Sequence, residues 1–411
     1  MKTSVKNSLE ILKRRIEKLL FIPALNPSDR SFDKNPLGLI GDTAGISCRT
    51  FSQNKSKYKD ILVNIDPKKT AIIIIDLWNK KYLDKFVEHK INPLIELARR
   101  KNIVIVHAPS HNYKNIHHSV QVHPEDIVIK NYRDGNKELS SRGIDTLLYI
   151  GDDALSCVLD KPLGIFHTHL RNKDFKTILV RDGIMSKTHE MKRLATNIVE
   201  TNFGGSVTIE DIYNYFKEKP PQKIHYDVAF PETSSFDLDN RKLAFKSSET
   251  AIVIVNFFDK RNNKQTEKNA KNKIIPLIEH ARSNNIPTIY TVSSKNDSGT
   301  YKFQPNEYKI SSEKEFTDIL KKKQIKKLLY AGHFLNMGML FGPAGISRLY
   351  IQKRYEFKNF LIPKLPEYYV ISDASLAFET PETSSNQTFK KTLLKYYRDV
   401  KAIRSGNVIF Q

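Results

Sequence analysis

Residues 70–76, Thr-Ala-Ile-Ile-Ile-Ile-Asp, decide the fold of this chain. A continuous run of β-branched residues, with no polar alternation, predicts a strand that is buried on both faces of a parallel sheet. The run returns about 180 residues later as Thr-Ala-Ile-Val-Ile-Val-Asn, residues 250–256. The chain therefore contains two copies of one central strand, and the second copy ends in asparagine where the first ends in aspartate.

The repetition extends well beyond this strand. Residues 93–99, Pro-Leu-Ile-Glu-Leu-Ala-Arg, return as Pro-Leu-Ile-Glu-His-Ala-Arg at residues 276–282. Residues 147–151, Leu-Leu-Tyr-Ile-Gly, return as Leu-Leu-Tyr-Ala-Gly at residues 328–332. Because each copy is far longer than one unit of a solenoid, the pattern predicts a duplicated globular domain.

Strands alternate with helices in both copies, which predicts right-handed crossovers and a parallel sheet with helices on both faces. We therefore expect an α/β protein of two doubly wound, Rossmann-like domains related by internal duplication, and a length of 411 residues fits two cores. The expected parts are an N-terminal helix and extended arm, the first domain, a linker and the second domain, at residues 1–66, 67–218, 219–247 and 248–411.

The formal net charge of +22 raises the question of an anionic partner such as nucleic acid. The lysines are scattered along the chain, and the one dense cluster, residues 321–327, fits the cationic end of a helix. Such charge runs are usually solvated. We therefore expect a small-molecule substrate as the partner and no nucleic acid.

Two further features concern the cellular compartment. No apolar run approaches the ~20 residues of a membrane span, so no membrane partner is expected. The two cysteines, Cys48 and Cys157, lie in different segments and show neither a disulfide framework nor a zinc-knuckle spacing. This cysteine usage is typical of a reducing cytoplasm.

Reactive side chains of the first copy fall where strands are predicted to end. Asp76 closes the first strand, Lys130 closes the apolar run at residues 127–129, and Cys157 follows the turn at Gly151. Ligands of open parallel sheets bind beyond the carboxyl ends of the strands. A helix N-terminus and Lys130 would favour a thiolate at Cys157, and Asp76 could take the thiol proton. The three residues together predict a cysteine nucleophile.

Each of these residues has a structural alternative. Cys157 could be a small core residue, and Asp76 could cap the following helix. Lys137 lies close enough in sequence to compete with Lys130 for the role of the ammonium. Asp152 and Asp153 add negative charge beside the thiol, which would raise its pKa.

Residues 151–158, Gly-Asp-Asp-Ala-Leu-Ser-Cys-Val, together with Asp76 and Lys130, resemble the isochorismatase-like cysteine hydrolase family. That family includes nicotinamidases and N-carbamoyl amidohydrolases. The resemblance covers both copies but not residues 1–66. It implies that Asp76 is the general base and acid, that Lys130 lowers the pKa of the thiol, and that Cys157 attacks the substrate carbonyl.

The resemblance also implies an oxyanion hole. Its donors would be the backbone amides of Asp153 and Cys157, beside a cis peptide bond between Asp152 and Asp153. Donors of this kind are worth roughly 3 to 4 kcal/mol each to a tetrahedral intermediate.

Histidines crowd the segment after the second strand: His107, His111, His117, His118 and His123. Nicotinamidases of the family carry in this loop a metal held by an aspartate and several histidines, but no aspartate follows here until Asp126. We expect this loop to bind no metal, and we expect the protein to need no cofactor. The alternative is that the histidines bind zinc or iron. His111 and Trp78, whose ring can stack on a flat substrate, are the predicted substrate-binding residues.

The second copy has lost the reactive groups, since Asn256 and Gly338 stand where the first copy has Asp76 and Cys157. We therefore expect the second domain to pair with the first as a structural partner, with association between copies of the chain left open. Cleavage of isochorismate, which needs no thiol, is the alternative for this domain.

The sequence as a whole predicts a cytoplasmic hydrolase. It would cleave a small amide or related C–N bond through a thioester on Cys157. The alternative is a catalytically silent binding or scaffold protein with the same fold.

Overall fold

The structure is a computed structural model. It describes residues 45–52, 57–109, 116–129, 132–221, 241–258, 263–292, 301–351, 366–380, 383–396 and 400–411. The predicted N-terminal helix lies outside the described residues.

The first half of the chain forms an eight-stranded sheet in the order β2-β1-β8-β7-β6-β3-β4-β5. Its strands are β1 (Ile46–Ser52), β2 (Lys57–Val63), β3 (Thr70–Ile75), β4 (Val104–Ala108), β5 (Ile127–Val128), β6 (Thr146–Gly151), β7 (Lys176–Ile184) and β8 (Gly204–Val207). The six strands from β8 to β5 pair in parallel. The β1–β2 hairpin joins the edge of the sheet through an antiparallel contact with β8.

The second half forms a six-stranded parallel sheet in the order β12-β11-β10-β13-β14-β15. Its strands are β10 (Thr250–Val255), β11 (Thr288–Thr291), β12 (Glu307–Ile310), β13 (Lys327–Gly332), β14 (Glu367–Ser375) and β15 (Lys401–Ile403). Two short strands, β9 (Leu243–Phe245) and β16 (Val408–Phe410), pair separately. The strand order of this sheet matches that of the six parallel strands in the first half.

Helices cover the faces of both sheets. They are α1 (Asp84–Phe86), α2 (Asn92–Arg100), α3 (Tyr132–Ser141), α4 (Ile165–Arg171), α5 (His189–Asn202), α6 (Ile209–Tyr215), α7 (Lys264–Asn269), α8 (Ile275–Ser283), α9 (Glu313–Lys322), α10 (Ile346–Ile351) and α11 (Thr388–Tyr396). Ser312 and Glu315 form a capping box at the start of α9, and the basic cluster lies at its end as predicted. Among the described helices, none has the length and apolar character needed to cross a bilayer.

The alternation of side chains along β3 and β10 divides the apolar core. Ile73 of β3 and Val253 of β10 belong to one continuous cluster that includes residues of both halves. On the opposite faces, Ile72 and Ile252 belong to clusters that are each confined to their own half. Successive residues of a strand point to opposite faces of the sheet. One face of β3 and of β10 therefore packs in the core that both halves share, and the other face packs in a core formed by its own half alone.

Aromatic rings fill the common core where the halves meet. The ring centroid of Phe341 lies 4.6 Å from that of Phe166 and 5.1 Å from that of Phe203. The Nδ2 of Asn336 donates to Oδ1 of Asn197 at 3.3 Å, in a buried position. Aromatic pairs of this kind contribute about 0.5–1.5 kcal/mol each beyond the area that they bury.

The hairpin β1–β2 occupies part of the segment for which we expected an extended arm. Its buried residues, including Cys48 and Val63, alternate with polar ones such as Arg49. This short segment has no continuous apolar run, so its sequence did not lead us to predict strands. The alternation of apolar and polar residues is nevertheless the pattern of a half-buried strand. The hairpin extends the first sheet beyond β8.

One glycine is required where β3 and β6 end together. Gly151 has a φ of +135°, and a Cβ placed on it would lie 1.9 Å from the carbonyl oxygen of Ile75. A side chain at this position would push apart the paired ends of the two strands. Gly406 offers a comparison, because a Cβ there meets no atom within 4 Å.

We therefore predict that Gly151→Ala lowers the free energy of unfolding by about 3 kcal/mol or more, as a steric clash with buried backbone should. Gly406→Ala should change it by less than about 0.5 kcal/mol. Urea denaturation of the two variants beside the natural protein measures both values. Equal midpoints for all three proteins would contradict the close approach of β3 and β6.

Candidate active site

The end of β3 forms the floor of the candidate site. Asp76 follows the last residue of this strand with a φ of 47°, and its side chain is buried. The backbone N–H of Asp152 donates to the carbonyl oxygen of Ile75 at 2.9 Å, which holds the turn after β6 against the end of β3. Non-glycine residues with positive φ are uncommon and gather at functional sites.

Lys161 forms a buried ion pair with Asp76. Its Nζ donates to Oδ1 of Asp76 and, at 2.9 Å, to the carbonyl oxygen of Ala108. Burial lowers the pKa of Lys161, while the carboxylate of Asp76 opposes that shift. A buried ion pair is tolerated when further hydrogen bonds satisfy it, and the Ala108 carbonyl supplies one of them.

Cys157 lies in the π-helical turn Ala154–Val158 and is partly exposed, whereas Ala154, Leu155 and Val158 of the same turn are buried. The carboxylate of Asp76 lies near its thiol and acts on the pKa of that thiol through its negative charge and as a hydrogen-bond acceptor. Burial raises the pKa of this thiol well above its ordinary value, Asp76 and Asp153 raise it further, and among the described residues Lys161 opposes them. Among the described residues, the carboxylates near Cys157 therefore outweigh the ammonium of Lys161, and the surroundings of the thiol disfavour its charged form.

Lys161 was not among the residues that we predicted. Lys130 and His111 lie outside the described residues, so their predicted roles stay predictions. A signal for Lys161 existed in the sequence: Gly342 stands at its position in the second copy, just as Gly338 stands at that of Cys157. Comparing the copies beyond the strand ends would have found it.

The two amides predicted for the oxyanion hole both have intramolecular acceptors. The N–H of Asp153 donates to Oδ1 of Asp152 at 2.7 Å, and the N–H of Cys157 donates to the carbonyl oxygen of Asp153 at 2.8 Å. The peptide bond between Asp152 and Asp153 is trans, where the resemblance implied a cis bond. Asp153 instead adopts a left-handed conformation, with a φ of 55°.

Asp152 is held in place by a second hydrogen bond. The hydroxyl of Tyr82 donates to its Oδ2 at 2.7 Å. Burial of the carboxyl group raises the pKa of Asp152 to about 6, because the charged form is poorly solvated. Close to neutral pH, a change in the charge of this side chain therefore affects the turn that carries Cys157.

Trp78 lies two residues past Asp76 and is half-buried. Its backbone forms an isolated antiparallel bridge with Ile116, which begins the second described part of the histidine-rich loop. This bridge brings the loop next to the strand end, so contact of Trp78 with a substrate remains our prediction.

The structure brings Asp84 close to His117 and His118, a cluster that we did not predict from the sequence. The set matches the donor types of zinc and iron sites. In this structure the N–H of Ser119 donates to Nδ1 of His117 at 3.2 Å, and Nε2 of His117 lies 3.0 Å from Oδ1 of Asp84. Hydrogen bonds thus account for the contacts of His117, and the absence of a metal stays our prediction.

The other aspartate of this region has different partners. Oδ2 of Asp126 lies 2.9 Å from Nε2 of His107 and 2.8 Å from Nη2 of Arg99. These contacts tie the end of α2 to β4 and the loop before β5. His107 and Asp126 therefore have a structural explanation.

At the corresponding place in the second half, Asn256 and Gly338 carry neither a carboxylate nor a thiol. Asn256 has a φ of 54°, and its Nδ2 donates to the carbonyl oxygen of His333 at 3.3 Å. A Cβ at Gly338 would lie 2.3 Å from that Nδ2 atom, so the asparagine amide occupies the space that a thiol would need. With Gly342 as the third member, this half keeps the backbone of the site and none of its chemistry.

Comparison with known proteins adds a likeness of fold. No family model and no curated protein matches the chain. Similar solved structures include a cysteine hydrolase from Pseudomonas syringae (14% identity, 37% of this chain and 94% of that chain, TM-score 0.31). They also include an isochorismatase-like hydrolase from Alkaliphilus metalliredigens (19%, 36% and 98%, TM-score 0.32) and a nicotinamidase from Staphylococcus aureus (14%, 34% and 97%, TM-score 0.28).

These structures are isochorismatase-family hydrolases, as the resemblance in sequence led us to expect. Each is matched over almost its whole length by little more than a third of this chain. TM-scores near 0.3 assign no activity. A function for this chain has to rest on the geometry around Cys157.

The pKa of Asp152 leads to a prediction about stability. Because the folded state raises this pKa from 3.8 to about 6, the stability contributed by the neutral carboxyl group is complete below about pH 4 and is lost as the pH rises through 6. Asp152→Asn should remove this loss, and it should stabilise the protein more at pH 8 than at pH 5. The difference is at most about 3 kcal/mol.

Thermal unfolding at the two pH values tests the prediction. Asp174→Asn, at an exposed position, serves as the control for removing one negative charge. The same effect of Asp152→Asn at both pH values would mean that Asp152 is not buried as described.

Proposed function

We propose that the first half of this chain is a cysteine-dependent amidohydrolase that cleaves a small amide or related C–N bond. One observation carries the proposal: the partly exposed thiol of Cys157 lies near the carboxylate of Asp76, which is itself paired with the buried Lys161. A nucleophile, a base in contact with it and a third group that orients the base make up the general pattern of nucleophilic catalysis.

In the proposed reaction the sulfur of Cys157 attacks the carbonyl carbon while its proton moves to Asp76. The tetrahedral intermediate collapses to a thioester, and Asp76 donates the proton to the departing nitrogen, which leaves as ammonia or an amine. Water then attacks the thioester, Asp76 takes a proton from this water, and the thiol is restored as the acid product departs. The raised thiol pKa suits this order, because proton transfer accompanies attack.

Lys161 is the ammonium that we assign to Asp76. It fixes the orientation of the carboxylate, and its charge favours the thiolate that forms during attack. Lys130 keeps its predicted role of lowering the pKa of the thiol. If both lysines act, Lys161→Met and Lys130→Met should each reduce turnover. If only one of them acts, only the variant of that lysine should do so.

The amides of Asp153 and Cys157 are the proposed oxyanion donors. In the resting protein Oδ1 of Asp152 lies where a substrate oxygen would bond the Asp153 amide. Substrate binding would therefore displace this carboxylate, and Trp78 and His111 are the residues that we propose to contact the rest of the substrate. No metal or cofactor enters the proposed reaction.

The first experiment is a screen of purified protein against amides, N-carbamoyl amines and isochorismate, with release of ammonia or pyruvate as the readout. With a substrate in hand, Cys157→Ala should abolish turnover. Cys48→Ala should keep it, with a loss of about 1 kcal/mol or more of stability because Cys48 is fully buried. Turnover should also survive exhaustive chelation.

A labelling experiment in the Cys48→Ala background tests the contact with Asp76. Asp76→Asn should abolish turnover and yet shift the alkylation of Cys157 by iodoacetamide to lower pH, because a neighbouring negative charge is removed. Turnover in Cys157→Ala would refute the thioester mechanism. An unchanged alkylation profile in Asp76→Asn would show that the carboxylate does not control the thiol.

The rival function is a catalytically silent binding or scaffold protein. The engaged amides of Asp153 and Cys157 are the observation that favours it. If the protein is silent, no substrate of the screen will be turned over, and Asp76→Asn will still change the labelling of Cys157.

We further propose that the halves arose by duplication and that the second is the structural partner of the first. One ion pair recurs in both: Lys90 with Asp182 at 3.4 Å, and Lys273 with Asp373 at 3.0 Å. The first pair links the π-helical turn Val87–Ile91, which follows β3, to β7. The second pair links the π-helical turn Ala270–Ile274, which follows β10, to β14. The pairs that hold the fold are thus retained, while the reactive groups are not.

The second half also contacts the turn that carries the proposed nucleophile. The hydroxyl of Ser347 donates to Oδ1 of Asp160, and both residues are buried. Asp160 directly precedes Lys161 in the chain. A partner that fixes Asp160 therefore helps to position the ammonium of the site.

We predict that Ser347→Ala lowers the free energy of unfolding by roughly 1.5–3 kcal/mol, the value of a hydrogen bond to a charged group. It should also reduce kcat/KM severalfold by loosening Lys161. Ser283→Ala, at an exposed position of α8, is the matched control. If the two variants unfold and turn over alike, the contact does not support the site.

A further inference from the structure

A cavity lies at the carboxyl edge of the second sheet, and neither Asn256 nor Gly338 lines it. Its volume is about 800 Å³, within the range of sites for small ligands. The residues that line it come from the ends of β14 and β15, from α11, from the π-helical turn Ala270–Ile274 and, through Glu190, from α5 of the first half. The carboxyl edge of an open parallel sheet is where ligands bind.

The cavity has a strong excess of positive charge. Five basic residues line it, against two acidic ones, Glu190 and Asp373. The basic residues are Lys273, Lys390, Lys391, Lys395 and Arg404. A concave surface lined by one sign of charge concentrates ligands of the opposite sign.

One acidic residue of the cavity is already neutralised. Asp373 pairs with Lys273 and also accepts hydrogen bonds from the N–H and the hydroxyl of Ser405, each at 2.7 Å. Because the same lysine–aspartate pair occurs in the first half, this contact is explained by the fold. Lys273 and Asp373 therefore account for little of the charge that a ligand would meet.

The remaining cations are differently placed. Within the described residues, the side chains of Lys390, Lys391 and Arg404 make no ion pair or hydrogen bond. Lys390 is half-buried, and burial lowers the pKa of its ammonium group although Asp373 and Glu379 oppose the shift. An ammonium held in a partly buried place without a close partner is costly, and an anion in the cavity would compensate it.

We propose that this cavity binds a phosphate-bearing small molecule of about the size of a mononucleotide. Lys390, Lys391 and Arg404 would contact the phosphate, since a guanidinium group forms paired hydrogen bonds with phosphate oxygens and ammonium groups act as point charges. Side chains such as Asn386, Gln387 and Thr392 offer neutral hydrogen-bonding groups to the rest of the molecule. The site is independent of Cys157 and of the proposed hydrolase.

Isothermal titration calorimetry of the full-length Cys157→Ala protein tests the site. The probes are inorganic phosphate, AMP and, as the neutral control, adenosine. AMP should bind more tightly than phosphate, and adenosine should not bind measurably. The double variant Lys390→Gln/Arg404→Gln should weaken AMP binding at least tenfold, while Lys391→Gln alone should weaken it by a smaller factor.

The matched control is Lys321→Gln/Lys322→Gln, which removes the same charge from exposed positions at the end of α9. It should leave AMP binding unchanged. The proposal is overturned if AMP does not bind, if both double variants weaken binding equally, or if an oligouridine RNA binds far more tightly than AMP through the same residues. Unchanged melting temperatures show that the variants are folded, and Lys391→Gln alone keeps the test valid if the double variant is not.

Discussion

The parallel pairing of β3 with β6 fixes where every functional group of the first half lies. The register runs from Thr70 opposite Thr146 to Ile75 opposite Gly151, and both strands end at this last pair. Gly151 is needed there because the carbonyl of Ile75 leaves no room for a Cβ. The chain must therefore turn immediately after each strand, which places Asp76 beside the turn that carries Cys157. The same pairing between β10 and β13 builds the empty counterpart in the second half.

The buried pair of Asp76 and Lys161 is the electrostatic centre of this arrangement. Removing two charges from water is costly, and their mutual attraction together with the hydrogen bond to the Ala108 carbonyl helps to compensate for it. The pair keeps a carboxylate near the thiol, and the ammonium of Lys161 partly offsets the negative charges of Asp76 and Asp153. At the corresponding positions the second half has Asn256, Gly338 and Gly342, so it lacks the carboxylate, the thiol and the ammonium together. Loss of either Asp76 or Lys161 alone would leave the other buried charge without this partner.

Most of the positive charge is scattered along the chain, but some of it lines the cavity for which we propose a ligand. The net charge of +22 did not by itself indicate a ligand, and most lysines are solvated. The fold gathers Lys390, Lys391 and Arg404 around one cavity, with the first half supplying Glu190 to its wall. Two different edges of the molecule thus carry chemistry: a thiol site at the end of β3 and β6, and a cationic cavity at the end of β14 and β15.

The sequence by itself determined the α/β class, the two central strands, and the positions of Asp76 and Cys157, because continuous β-branched runs and the residues that end them are local features. It also showed that Asn256 and Gly338 lack the reactive groups. Only the tertiary structure decided that Lys161 forms an ion pair with Asp76. The same holds for the hydrogen bond between His117 and Asp84, and for the hydrogen bond that the Asp153 N–H donates to the Asp152 carboxylate. These contacts join side chains whose separation in sequence carries no periodic signal. The thiol's pKa depends likewise on burial and on the sum of neighbouring charges, which exist only once the chain has folded.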